Sequence, residues 1–226
     1  MRRKTNAELL SLVSHELRTP LTRLRWNAES LLDPALGSLT ETQKRSVEEM
    51  LQNADELSTA VEILLEGATV ALHVGKTPRT AFSLPYLVSH VIKEHAAAPG
   101  VNISRRFALA VPNVSADPKG VETAVRLLLS AVYASSLDGK LIVRIGAAGR
   151  LVHCIISTGK DPGPRFPSAF RGRAGRGIMK TSPIPASHRL RLFVAQNLIR
   201  ASGGDVRLDE RGGPTALSFS LPQSVT

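Results

Sequence analysis

Two long segments with a helical repeat of apolar residues constrain the fold of this chain most strongly. In the first, from Asn6 to about Leu32, the spacings are 3, 4, 4, 3, 4 and 3 residues, typical of a helix in a bundle. Its apolar positions are Leu10, Val13, Leu17, Leu21, Leu24, Ala28 and Leu31. The second segment runs to about Thr69, and its apolar positions are Val47, Met50, Ala54, Leu57, Val61, Leu64 and Leu65.

The stretch "DPALGS" interrupts the periodicity between these segments. Thr40 and Gln43 have the spacing of a capping box and predict that the second helix begins there. Two long helices with a short connection form an antiparallel hairpin. Because each apolar stripe is wider than one partner helix can cover, we expect a homodimer in which two hairpins form a four-helix bundle.

The pattern changes after residue 75 to short strands and helices. We predict strands at "TAFSL", "VNISRRFAL", "KLIVRIG" and "LVHCIIS", and a closing hairpin in "GGDVRLDERGGPTALSFSLP". We predict helices over Leu84–His95, over Lys119–Ser136 and from about Ser187 to Ala201. The segment from Thr158 to Ala186 has no periodicity and predicts a long loop. The chain is therefore expected to be α+β, with a helical hairpin in residues 1–75 and, in residues 76–226, an α/β sandwich of three helices on one mixed sheet.

The net charge of +10 is divided unevenly between these two parts. Residues 1–75 hold 8 Lys and Arg against 11 Asp and Glu, a balance of −3, whereas residues 76–226 hold 21 against 8, a balance of +13. Such a basic surface favours anionic partners. Few aromatic residues and no recognisable binding motif argue against nucleic acid. With no long apolar window and no secretory leader, we expect a cytoplasmic chain without a membrane segment.

The remaining candidate residues predict no metal site. The single cysteine, Cys154, lies in an apolar run, so we expect a buried thiol and no cysteine ligand set. The glycines of "RGRAGRG", Arg171 to Gly177, are a weak phosphate-loop signal, since no strand leads directly into them. Five histidines show no metal-ligand spacing and are interpreted as structural or surface residues: His73, His90, His95, His153 and His188.

A sixth histidine, His15, lies on the polar face of the first predicted helix. It is two residues from an apolar position on either side, about 200° around the helix from each. Imidazole is nucleophilic near neutral pH, and a carboxylate bonded to one ring nitrogen raises the basicity of the other. Glu16 supplies a carboxylate and Thr19 a hydroxyl, while Pro20 removes a backbone hydrogen bond beside them. The alternative is that His15 is one more surface polar residue.

The whole stretch "SHELRTPLT", Ser14 to Thr22, resembles the H-box of the sensor histidine kinases of bacterial two-component systems. The resemblance implies that His15 is the phosphoacceptor, which passes its phosphoryl group to an aspartate of a response-regulator receiver domain. It further implies that Glu16 is the acid/base and that Thr19 positions water in dephosphorylation of the regulator. Residues 1–75 would be the dimerisation and phosphotransfer hairpin, and residues 76–226 the ATP-binding domain of the histidine-kinase ATPase type.

The magnesium-binding motif of that family is altered in this chain. The family motif has the form N-L-L-x-N-A-x-K-Y, and the corresponding stretch here is "RLLLSAVYAS". Arg126 and Ser130 stand at the two asparagine positions, although a shift of one residue would place Ala131 at the second. Mg²⁺ prefers carboxylate or amide oxygens, and none of these residues supplies one from its side chain.

Two further ATP-site motifs are altered as well. The family motif D-x-G-x-G corresponds to "STGKD", with Ser157 at the adenine-binding aspartate, Gly159 at the first glycine and Asp161 at the second. Asp161 would serve only if the register slipped. The motif G-x-G-L is replaced by "RLRL", in which the side chains of Arg189 and Arg191 would block the close approach of backbone to phosphate.

The contrast between an intact H-box and an altered ATP domain favours a phosphorelay protein of histidine-kinase ancestry with impaired or lost ATP binding. It would be a histidine phosphotransferase between receiver domains, or a pseudokinase that binds a true histidine kinase or a regulator, and it would need no cofactor. One alternative is an active sensor histidine kinase that phosphorylates His15 from ATP and Mg²⁺ through an atypical site. Another is a non-catalytic scaffold module.

Overall fold

The chain divides into two compact units, Met1–Thr69 and Val70–Thr226. The structure is a computed structural model and describes residues 2–73, 79–95, 102–159, 173–174, 186–209 and 216–224. The domain boundary expected from the sequence, between residues 75 and 76, lies outside these ranges and stays a prediction. None of the described helices combines the length and apolar character needed to cross a membrane.

The first unit is the predicted helical hairpin. Helix α1 covers Arg2–Leu31, and α2 covers Glu41–His73, about a turn beyond its predicted end. Between them Pro34–Leu36 form one turn of 3-10 helix, and the Asp33 carboxylate accepts a hydrogen bond from the Ala35 amide at 2.9 Å. The chain is therefore reversed within nine residues, as "DPALGS" predicted.

The predicted apolar stripe is only partly covered within one hairpin. One set of its side chains is buried: Leu21, Ala28, Val47 and Ala54. Another set remains about half exposed in the single chain: Leu17, Leu24, Leu31, Met50, Leu57 and Leu64. The uncovered set shows that the apolar face of the hairpin is larger than its two helices can bury against each other.

The second unit is built on a mixed sheet with three described helices. The helices are α3, Leu84–His95; α4, Pro118–Tyr133; and α5, Ala186–Ala201. The strands are β1, Thr80–Phe82; β2, Asn102–Phe107; β3, Val114–Ala116; β4, Lys140–Ala148; β5, Leu151–Thr158; β6, Arg173–Ala174; β7, Asp205–Asp209; and β8, Ala216–Pro222. Six of them form a sheet in the order β2-β4-β5-β8-β7-β6, in which β2 and β4 are parallel and the other pairs are antiparallel.

Two details of the predicted second unit were wrong. The expected single sheet is two sheets among the described residues, because β1 pairs with the unpredicted strand β3. The predicted loop after Thr158 contains the short strand β6, paired with β7. Strands of two or three residues are too short to show the alternation by which strands are recognised. The α+β fold class itself is confirmed.

The core of this unit lies between one face of the sheet and the helices α4 and α5. Alternate residues of three neighbouring strands carry buried apolar side chains on that face: Val143, Ile145, Cys154, Ile156, Phe219 and Leu221. Helix α4 contacts β4, β5 and β8 and also packs along α5. The Cys154 thiol is fully buried, as expected, and this burial raises its pKa.

Candidate functional site

The His15 imidazole is open to solvent in the middle of α1. Its side chain is 78% exposed, and that of the adjacent Glu16 is 71% exposed. Glu16 Oε1 lies 3.8 Å from His15 Nδ1. A carboxylate on this side of the ring favours the proton on Nδ1, so that the lone pair of Nε2 is available to attack an electrophile. The ring is therefore accessible from solvent without any opening of the hairpin core.

The turn that follows His15 has an unusual backbone. The Thr19 hydroxyl donates a hydrogen bond to the His15 carbonyl oxygen at 3.0 Å, which fixes Thr19 Oγ1 one turn further along the helix. Pro20 lies inside α1 and has no N–H, so the Glu16 carbonyl lacks its usual donor four residues on. The polar side chains of His15, Glu16 and Thr19 thus lie on the turn of α1 that ends at Pro20.

In the second unit, Ser130, which the motif resemblance places at the second asparagine position, contacts a histidine. Ser130 Oγ on α4 lies 3.0 Å from Nε2 of His95, the last residue of α3. His95 is partly buried, and its pKa is lowered first by that burial and then by the positive charges of Arg126 and Arg191, although Glu94 opposes the change. Three helices therefore contribute to one cluster: α3 through His95, α4 through Ser130 and Arg126, and α5 through Arg191.

The two side chains at the asparagine positions do not supply the carboxylate or amide oxygens that Mg²⁺ prefers as ligands. Arg126, at the first asparagine position, donates to Glu122 Oε1 at 3.0 Å, and its guanidinium also lies 3.8 Å from Glu94 Oε2. A cation and a hydroxyl thus stand where the family has two amides. Across the part of the chain that the structure describes, no group of three or more His, Cys, Asp or Glu side chains could hold a metal ion.

The residue at the adenine-binding position lies on the opposite side of the sheet from the core. Ser157 pairs with Ile142 and Ala216 in the ladder, and alternation along β5 points its side chain away from that of Ile156. It is 1% exposed, and its hydroxyl has no hydrogen-bond partner among the described residues. The structure therefore does not bring Ser157 together with the His95–Ser130 cluster. Gly159 follows with φ +72°, a conformation that suits glycine, and Asp161 lies outside the described residues.

The two arginines that replace the last glycine motif lie near the start of α5. Arg189 and Arg191 are both partly buried, and the Nε atom of each is buried without a hydrogen-bond partner among the described residues. The charge of Arg191 also contributes to lowering the pKa of His188, after the effect of burial. Bulky cationic side chains therefore occupy positions where the family has glycine backbone.

The contact of His95 with this site is not visible in the sequence. The spacing of His95 matches no metal motif and predicts only a structural or surface role. The partner Ser130 is 35 residues away along the chain, and only the packing of α3 on α4 brings the two together. No local sequence pattern reports such a contact.

The sequence and fold are similar to those of known histidine kinases. Residues 5–69 match the family described as "His Kinase A (phospho-acceptor) domain", an interval that contains all of "SHELRTPLT". The chain is 26% identical over 219 residues to the sensor histidine kinase GtrS of Pseudomonas aeruginosa, covering 96% of this chain and 42% of that protein. It is 29% identical over 232 residues to the signal transduction histidine-protein kinase/phosphatase MprB of Mycolicibacterium smegmatis, covering 97% and 46%.

A solved structure supports the same fold across both units. Full-length ShkA matches with a TM-score of 0.58 and 21% identity, over 98% of this chain and 47% of that one. The chain thus spans slightly less than half the length of these relatives. Residues 5–69 therefore match the His Kinase A (phospho-acceptor) domain family, and the chain as a whole is similar in sequence and fold to sensor histidine kinases.

Proposed function

We propose that the chain exchanges a phosphoryl group between His15 and the aspartate of a response-regulator receiver domain, and that its own ATP binding is impaired. In this exchange the lone pair of His15 Nε2 forms a bond to phosphorus, the P–O bond of the aspartyl phosphate breaks, and the carboxylate leaves with the electron pair. Glu16 accepts or shares the proton of Nδ1 as positive charge develops on the ring. In the reverse step, the receiver aspartate attacks the phosphohistidine.

The 3.0 Å contact between Ser130 and His95 carries the part of the proposal that concerns ATP. The hydroxyl at the magnesium position is already bonded within the protein, and the Arg126 charge beside it repels a divalent cation. Bound Mg²⁺ would ordinarily neutralise the phosphates of ATP. Without Mg²⁺, the phosphates of a bound nucleotide would be neutralised by arginines alone.

The uncovered apolar face of the hairpin supports the dimer that we include in the proposal. Exposed residues such as Leu24, Leu57 and Leu64 continue the heptad positions whose other members are buried. A second copy of the hairpin would cover them in a four-helix bundle. The basic second unit would also complement an acidic partner such as a receiver domain, and a true histidine kinase is the other partner we consider. We place this exchange in the cytoplasm.

The second candidate function is an active sensor histidine kinase with an atypical nucleotide site. It is favoured by the buried Ser157 hydroxyl, which has no hydrogen-bond partner among the described residues and would gain one from a ligand. GtrS and MprB are both named as kinases, and ShkA was solved in complex with AMPPNP. In this alternative, Arg189 and Arg191 would provide the phosphate stabilisation that backbone amides provide in the family.

One experiment on the full chain distinguishes the two candidates. The purified protein is incubated separately with γ-labelled ATP and Mg²⁺, and with a panel of receiver domains that have been phosphorylated by acetyl phosphate. We expect labelled receivers to transfer phosphate to the chain. ATP should label the unaltered chain no faster than it labels the His15→Ala variant. The matched control is Asn27→Ala, an exposed polar position on the same helix, which should accept phosphate as the unaltered chain does.

Labelling from ATP that depends on His15, together with a rise in Tm at millimolar ATP, would establish the active kinase and reject impaired ATP binding. Transfer from a receiver that persists in His15→Ala would reject His15 as the acceptor. If neither ATP nor any receiver labels the chain, phosphoryl exchange is rejected in favour of a scaffold.

A further inference from the structure

A groove of about 660 Å³ separates α3 from strand β2 in the second unit. Tyr86, Ser89, His90 and Lys93 line it from α3, at the i, i+3, i+4 and i+7 positions that share one helical face. Ile103 and Arg105 line it from β2, two residues apart and hence on the same side of the strand. Tyr86 is 77% exposed, so an aromatic ring is presented to solvent at this groove.

Strand β2 lies at one end of the six-stranded sheet, with β4 as its strand partner among the described residues. The amide of Asn102 donates to Gly139 and that of Ala108 to Ile145, so the even-numbered residues of β2 point their backbone groups toward β4. The backbone groups of Ile103 and Arg105 therefore point outward, to an edge with which no described strand pairs. The same two residues direct their side chains into the groove.

The charged residues that line the groove are basic. Lys93 and Arg105 contribute positive charge, while the neighbouring Glu94 is held by His90 at 3.7 Å and by Arg126 at 3.8 Å. Charges on an edge strand commonly prevent pairing with another copy of the same strand. Here a second copy would set Arg105 against like charge, whereas a strand with carboxylates would be attracted.

We propose that the edge of β2 and the facing side of α3 bind an extended acidic segment of a partner protein by β-strand addition. The outward N–H and C=O groups of Ile103 and Arg105 would bond to the backbone of that segment. Its side chains on the groove side recur every second residue. One would therefore pack on Ile103 and the next would meet Arg105 and Lys93, so the segment needs an apolar residue and a carboxylate two positions apart. This interaction is independent of the phosphoryl exchange proposed above.

The test uses the full chain and a blocked, fluorescein-labelled peptide, Thr-Val-Thr-Glu-Thr-Val-Thr-Glu, with fluorescence anisotropy as the measurement. We expect saturable binding that weakens as salt is raised, because the attraction is partly electrostatic. Exchange of both Glu for Lys should weaken binding at least about tenfold. Replacement of the central Thr-Val pair by Pro-Pro should do the same, because one of these two amides would donate to β2 whichever direction the segment runs.

Variants of the protein locate the peptide on the groove. Arg105→Glu should weaken binding at least about tenfold, and Lys93→Glu, on the facing helix, should act in the same direction. Arg150→Glu is the matched charge reversal, at an exposed position in the turn between β4 and β5, and should leave the affinity unchanged. Circular dichroism melts establish that each variant folds. If Arg105→Glu does not fold, the affinity of Lys93→Glu tests the proposal in its place.

Several results would overturn the proposal. They are absence of binding at millimolar peptide, equal affinity for the proline peptide, or equal loss of affinity in Arg150→Glu. Sedimentation velocity tests the other occupant, a second copy of the chain. If the Arg105→Glu substitution lowers self-association and no peptide binds, the edge is an interface between copies.

Discussion

Nε2 of His95 and Oγ of Ser130 lie 3.0 Å apart and join the end of α3 to the last turn of α4. The contact joins a half-buried imidazole to the residue that the motif resemblance places at an asparagine position. The groups whose charges act on this ring are Arg126, Glu94 and Arg191, and two of the three are cationic. A proton on His95 is therefore opposed both by burial and by the net charge around it.

The first prediction is that acidification destabilises the second unit partly through His95. Its pKa in the folded protein is below the ordinary value of 6.5, so the unfolded chain binds more protons in the range between these two values. The contribution of His95 to stability is complete above pH 6.5 and is lost as the pH falls through that range. Urea unfolding between about pH 5 and pH 7.5 should show a smaller pH dependence in His95→Gln.

A second histidine provides the comparison for this experiment. Burial and the charge of Arg207 also lower the pKa of His153, so His153→Gln should reduce the pH dependence as well. His95 and His153 have no common perturbing group, and the double variant should show the sum of the two effects. If the free energy of unfolding depends on pH in His95→Gln as it does in the unaltered chain, the lowered pKa of His95 is contradicted.

The second prediction concerns the close approach of Gly204 to β8. A Cβ atom at Gly204 would collide with the Ser220 carbonyl oxygen and approach Ile199 within 2.9 Å. Gly204→Ala should therefore lower the free energy of unfolding by about 3 kcal/mol or more. Gly149→Ala is the matched control, because Gly149 has φ +60° and open space around it, and it should cost only about 1–2 kcal/mol from backbone strain. Urea titration of both variants measures the difference, and equal losses would refute the collision.

The third prediction concerns the cap of α2. The Thr40 amide donates to Gln43 Oε1 at 2.9 Å, and Thr40 Oγ1 accepts from the Gln43 amide at 3.3 Å. Thr40→Ala should lower stability by about 1 kcal/mol because one helix-terminal amide loses its acceptor. Thr59→Ala removes a hydroxyl that bonds back to Asp55 within the same helix, and it should change stability by less than about 0.5 kcal/mol. Thermal melts at one fixed protein concentration compare the two.

The fourth prediction concerns self-association of the hairpin. Leu57 is 53% exposed in the single chain, and in the proposed bundle it would be buried. Leu57→Glu should weaken the dimer by about 3 kcal/mol or more, since two copies each lose a buried leucine and gain a buried charge. Asn53→Glu places the same charge at an exposed polar position of α2 and should leave the dimer intact. Sedimentation equilibrium gives both association constants, and an unaltered constant for Leu57→Glu would reject this face as the interface.

Local sequence patterns predicted the helical unit well. Buried Leu21 and Val47 occupy predicted apolar positions, and Thr40 and Gln43 form the predicted capping box. Each of these features depends on residues within a few positions of one another. Helix period and helix caps are local properties, and they are therefore readable without any knowledge of tertiary contacts.

The second unit was less predictable because its arrangement depends on distant contacts. The predicted hairpin of β4 and β5 is present, but neither β3 nor the insertion of β8 between β5 and β7 follows from a local pattern. The contact of His95 with Ser130 likewise arises from helix packing. The burial of Ser157 on the side of the sheet away from Ile156 follows from strand register, which the spacing of the motif residues does not specify.

The strand order also determines when each unit can fold during synthesis. The hairpin of α1 and α2 contains only contacts between neighbouring segments, so it can form as soon as residues up to 73 have left the ribosome. In the sheet, β8 lies inside, between β5 and β7, although it follows both in the chain. The core under β5 therefore stays open until residues 216–222 emerge, and ribosome-bound chains arrested before that point should expose a sheet without its central strand to chaperones and proteases.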